Sequence, residues 1–70
     1  MNRKIFTVSD FKVFVLRLLN AANSHDGIAL QKMSEEITDR YKETTMTHYE
    51  YETLYNLCDI FLEDWRLNWK

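Results

Sequence analysis

From Tyr51 to Trp69 the residues Tyr51, Leu54, Tyr55, Cys58, Phe61, Leu62, Trp65 and Trp69 recur at intervals of three or four. Only an α-helix holds such residues on one side, because about 3.6 residues complete a turn, whereas a strand sends alternate residues to opposite faces. A stripe of roughly five turns needs a long apolar surface to lie against. In a chain of 70 residues that surface comes from the remaining segments or from another chain.

The rest of the chain supplies two more helical patterns. It contains no Pro and a single Gly, Gly27, so little interrupts helices. In the first segment Val8, Phe11, Phe14, Val15, Leu18, Leu19 and Ala22 share a broad face, while Val13 and Leu16 fall off it. Thr7 and Asp10 have capping-box spacing, with Ser9 as a second choice of cap. Residues 4–8 also fit a short extended arm. The turn "NSHDG" ends this helix, with Gly27 suited to a left-handed conformation. In the second segment Ala29, Leu30, Met33, Ile37 and Tyr41 oppose Lys32, Glu35, Asp39 and Lys42, the pattern of an ordinary core helix. The threonines of "ETTMT" break the pattern, and Thr47 with Glu50 forms a second capping box. The expected fold is therefore an all-α three-helix bundle in a single domain, with helices at about 8–23, 28–42 and 47–68.

Size limits what holds such a domain together. A chain this short buries only about 60% of its unfolded surface, and its core alone supplies roughly 3–5 kcal/mol. Cys58 has no second cysteine to pair with, and one Cys with two His falls short of a structural zinc set. The N-terminal stretch is too interrupted by Ser9, Asp10, Lys12 and Arg17 for a signal peptide, and no segment reaches the ~20 apolar residues of a membrane span. A cytoplasmic protein is the expectation.

Enzymatic chemistry finds little footing. Cys58 lies in the apolar stripe with no basic residue within a turn, unlike an activated thiolate. His48 and Glu52, four apart, are two ligands at most. One glycine cannot build a phosphate-cradling loop. No catalytic residue, cofactor or metal is expected.

Charge is more informative. Residues 36–70 hold eight acidic and four basic residues, and no Lys or Arg stands between Lys42 and Arg66. Glu52, Asp59 and Glu63, with Asp64 nearby, form an acidic row beside the aromatic stripe. Leu57, Ile60 and Leu67 lie opposite that stripe, so the third helix is apolar on two sides. A covering of Leu57 and Ile60 by the N-terminal arm is the plainer explanation. The sharper one is an interface, in which aromatic residues anchor and acids steer a basic partner.

The functional expectation is a small non-enzymatic protein-binding module. It would be an inhibitor or regulator of the type common among phage accessory proteins, and a homodimer. Its partner-binding residues would be Glu52, Tyr55, Leu57, Asp59, Ile60, Glu63, Asp64, Trp65 and Trp69. Along a helix the acids stand about 6 to 10 Å apart, loosely comparable with phosphates on a strand, so nucleic-acid mimicry against a basic groove is one form of this reading. The alternative is a helix–turn–helix DNA-binding regulator using segments 28–42 and 47–68, with Thr44, Thr45, Thr47, His48 and Tyr49 at the DNA. Against it, the recognition helix would open on Glu50 and Glu52 instead of Arg, Lys, Asn or Gln.

Overall fold

The computed structural model describes residues 3–68, which form three helices: α1 (Val8–Asn23), α2 (Gly27–Glu43) and α3 (His48–Asn68). Both capping boxes form as their spacing requires. The Thr7 side chain accepts from the Asp10 N–H at 3.1 Å while the Asp10 carboxylate accepts from the Thr7 N–H at 2.9 Å. Thr47 and Glu50 make the same reciprocal pair at 3.1 and 2.9 Å.

α2 and α3 are an antiparallel hairpin in contact along the whole length of α2. At one end Tyr41 stacks on Tyr51, with ring centroids 4.5 Å apart. In the middle the Cys58 thiol donates to the Leu30 carbonyl at 3.1 Å. At the other end the indole of Trp65 lies against Gly27. Leu30, Ile37, Leu54 and Cys58 are sealed from solvent between these points, and α1 adds Phe14, Leu18 and Ala21 to the same core. Each fully buried aliphatic side chain contributes about 1.5–3 kcal/mol.

The extended arm is present and carries part of the core. A parallel bridge joins Lys4 to Thr44, and the Thr45 N–H donates to the Lys4 carbonyl at 2.9 Å. The Phe6 N–H donates to Thr45 Oγ1 at 3.0 Å, and the Phe6 ring packs on Phe14 at 6.1 Å. Alternation along the arm turns Phe6 inward and leaves Ile5 in solvent. The arm does not cover the outer side of α3, where Ile60 stays exposed.

One expectation about the first turn is corrected. The left-handed residue is His25, at φ 53°, and not Gly27. The His25 N–H donates to the Ala22 carbonyl and the Asp26 N–H to the Ala21 carbonyl, at 3.1 and 2.9 Å, the hydrogen-bond pattern of a Schellman end with His25 in the position glycine usually takes. Gly27 instead opens α2 behind its cap, Asp26, whose carboxylate accepts from the Ala29 N–H at 3.0 Å. Glycine is required there because a Cβ would overlap the Trp65 ring. Val8 and Leu19, assigned to the core face of α1, are also corrected: both are exposed, since α2 and α3 cover a narrower arc of α1 than its apolar residues occupy.

Substitutions two positions apart in this turn should therefore act in opposite directions. His25→Gly should raise the unfolding free energy by about 0.5–1 kcal/mol, by relieving a left-handed non-glycine residue. Gly27→Ala should lower it by about 1–3 kcal/mol, by overpacking against Trp65. Urea denaturation followed by circular dichroism measures both.

Candidate functional site

The expected partner-binding residues do not form one patch. They wrap around the solvent side of α3. At about 100° per residue, Tyr55, Glu52, Asp59 and Glu63 lie on the flank reached by passing from Cys58 towards Asp59. Leu57 and Asp64 lie on the opposite flank, and Ile60 and Leu67 point outward between the two. Tyr51, stacked on Tyr41, marks the acidic flank as the one beside α2. The leucine flank consequently lies beside α1.

Residue by residue, the surroundings differ. Glu52, Asp59, Glu63 and Asp64 are all exposed. Glu52 faces His48 Nε2 at 3.5 Å, a contact that is an ion pair only when the imidazole is protonated. Asp64 accepts from the Asn68 amide at 2.7 Å, and Asp59 and Glu63 make no ion pair among the described residues. Tyr55 is partly exposed and continues the ring series from Tyr51 at 5.6 Å. Leu57 is half-buried against the core, whereas Ile60 and Leu67 are 62% and 76% exposed. Trp65 is half-buried over Gly27, so it anchors the C-terminal part of α3 to the start of α2 and is not an open aromatic anchor. Trp69 lies outside the described residues.

A second surface escaped the sequence reading. On α1, Val8, Val13, Leu16 and Leu19 are 68, 52, 60 and 41% exposed. Val8, Leu16 and Leu19 share the outer side of the helix with Ser9 and Asn23, while Val13 lines the cleft beside α2. Of the charged residues of α1, Asp10 closes the cap and Arg17 pairs with Glu36, which leaves Lys12 as the one charge on this outer arc. The signal was present as Val13 and Leu16, apolar residues off the main stripe. Their weight shows only when α1 is seen to be covered on one side alone.

The other candidate residues occupy these places. Cys58 is buried, and burial, with a smaller effect from Asp59, pushes its thiol up to about 11, which keeps it protonated and inert. No cluster of three metal-ligating side chains occurs among the described residues. A cleft of about 560 Å³ lies between the arm, α1 and α2, lined by Lys4, Phe6, Arg17, Glu36, Arg40 and Glu43 among others. Four of its charges are engaged with one another. Arg17 donates both guanidinium nitrogens to Glu36 at 2.8 and 2.9 Å, and Arg40 reaches Glu43 at 3.2 Å.

The residues proposed for DNA contact are largely committed to structure. Thr44 is buried and its hydroxyl donates to the Arg40 carbonyl. Thr45 holds Phe6, Thr47 caps α3 and His48 pairs with Glu52, while Tyr49 is free in solvent. No described helix is long and apolar enough to cross a membrane. Comparison with family models, with curated proteins and with solved structures found no match.

The hydrogen bonds from Arg17 hold the Glu36 carboxyl below the usual carboxylate range, against an opposing effect of burial. Because the folded value is depressed, the pair's stabilisation is complete above the ordinary carboxylate range and is lost as pH falls through the folded value. Both side chains are partly solvated, at 45% and 31%, so the pair is worth about 1 kcal/mol or less. Glu36→Gln should cost that much near pH 7. The difference from wild type should vanish in urea titrations carried well below pH 4.

Proposed function

We propose that this chain is a small non-enzymatic protein-binding module, an inhibitor or regulator, that receives a partner with a basic surface on the acidic flank of α3. The observation that carries this reading is the state of Glu52, Asp59 and Glu63. They stand in one exposed row about 10 and 6 Å apart along the helix, and neither Asp59 nor Glu63 meets an internal cation among the described residues. Carboxylates retained for stability are usually paired or placed at helix N-termini, as Glu36 and Glu50 are here. Unpaired carboxylates in a row have a use in raising the encounter rate of a cationic surface and in rejecting anionic ones. Tyr55, half-open at the edge of the row, supplies an aromatic contact of the kind that anchors interfaces. Mimicry of a nucleic-acid strand against a basic groove is the specific form this surface would take.

The helix–turn–helix reading has less support. In that motif two helices meet at a steep angle over a short turn and free the second for the major groove. Here the contacts Tyr41–Tyr51, Leu30–Cys58 and Gly27–Trp65 keep α2 and α3 side by side. The acidic row would also face the phosphates.

The test is affinity capture by the immobilised protein from host lysate, with and without nuclease, comparing wild type with the pair Glu52→Lys and Asp59→Lys. A protein partner should persist after nuclease. The double reversal should weaken its capture about tenfold at low salt and much less at high salt, because screening removes steering. Capture that disappears with nuclease, or reversal that has no effect at low salt, overturns the reading.

A further inference from the structure

We infer that the face formed by α1 and α3 is a self-association surface, on which a second copy of this chain packs antiparallel about a two-fold axis passing near Leu19 and Ile60. The inference stands apart from the acidic row, which lies on the other flank of α3.

The face is located by contacts elsewhere. Arg17, bonded to Glu36, marks the flank of α1 that meets α2. The opposite flank, carrying Val15, Leu19 and Leu16, therefore borders the groove between α1 and α3. On α3 that groove is bordered by Leu57, Phe61 and Ile60, on the flank away from Tyr51 and Tyr41. α1 runs antiparallel to α2, and α2 to α3, so α1 and α3 run parallel. Their relative height follows from the arm, where Lys4 is bridged to Thr44 and Phe6 is bonded to Thr45, an offset of about forty residues. Leu57 and Ile60 thus lie level with residues 17 and 20 of α1. Leu16, Leu19, Leu57 and Ile60 form one apolar patch at mid-height, with three of the four more than 40% exposed.

Charge selects the occupant. On this face α1 contributes Lys12, and α3 contributes Glu50 and Asp64, of which Glu50 is committed to its cap. Lys12 stands near one end. Asp64, level with residue 24 by the same offset, stands near the other. The midpoint between them, level with residue 18, coincides with the centre of the apolar patch. A two-fold axis there sets each Lys12 level with the partner copy's Asp64 and joins the two patches. A parallel arrangement would set Lys12 against Lys12. A two-fold interface must be complementary to itself, and a face that sets each Lys12 level with the partner copy's Asp64, while the Glu50 carboxylate is bonded within its own cap, satisfies that condition. The size is adequate. The accessible surface is 5291 Å², and a standard interface takes about 800 Å² per partner, less than one side of a three-sided bundle.

The test uses the full chain and sedimentation equilibrium. Wild type should be dimeric at micromolar concentration. Leu16→Glu and Ile60→Glu, both at exposed positions, should stay helical by circular dichroism and raise the dimer dissociation constant about a hundredfold or more. Lys12→Glu and Asp64→Lys should each weaken pairing about tenfold at low salt, and an equimolar mixture of the two should restore it. Lys12→Cys mixed with Asp64→Cys should form a disulfide-linked dimer under mild oxidation, while Lys12→Cys alone should not. A wild type that stays monomeric at high concentration, or Leu16→Glu that pairs as well as wild type, overturns the surface. Cross-linking of Lys12→Cys to itself overturns the antiparallel order.

Discussion

The antiparallel contact between α2 and α3 is the interaction on which the rest of the molecule depends. It is set at three heights, by a ring stack at Tyr41–Tyr51, a thiol–carbonyl contact at Cys58–Leu30 and the seating of Trp65 on Gly27. Together these hold the hairpin in register. The arm then has a place to dock, at Thr44 and Thr45 in the connection between the two helices. α1 packs into what remains. Its position decides which apolar residues are covered, and hence which surfaces the protein offers.

Geometry explains why so much apolar surface stays outside. A three-helix bundle covers about one side of each helix. α1 is apolar over more than that, and α3 is apolar on two sides. Part of the excess, Leu16, Leu19 and Ile60, borders the groove between α1 and α3, while Val13 lines the cleft beside α2. Among the described residues the core is drawn from eleven buried apolar side chains, thin for a free-standing domain, and covering this face with further protein would add stabilisation. The aromatic residues of the C-terminal third serve two ends. Tyr51 and Trp65 lock α3 onto α2, whereas Tyr55 remains partly open at the edge of the acids.

The two faces are physically different surfaces. One is largely apolar, with Lys12 and Asp64 towards its ends. The other is an exposed row of carboxylates, of which Asp59 and Glu63 make no ion pair among the described residues, and its field is sensitive to salt. Because α3 carries one on each flank, the same helix can take part in pairing with a copy while leaving its acidic side open.

Much of the fold was legible in the chain because it rests on local rules. Helical periodicity, the two capping boxes and the scarcity of breakers determine three helices with ends close to those observed, and the exposure of Ile60 and Leu67 follows from their place opposite the main stripe. What only the tertiary structure decided depends on who meets whom. Periodicity says that Val8 and Leu19 belong to an apolar side of α1, but not how wide an arc its neighbours cover. Composition says that Gly27 is a lone glycine, but not that the Trp65 ring, 38 positions away, occupies the space of its missing side chain. The acids of α3 and the outer residues of α1 are each readable as rows. That they end up on separate faces is set by the direction in which α1 crosses to α3, which no local pattern contains.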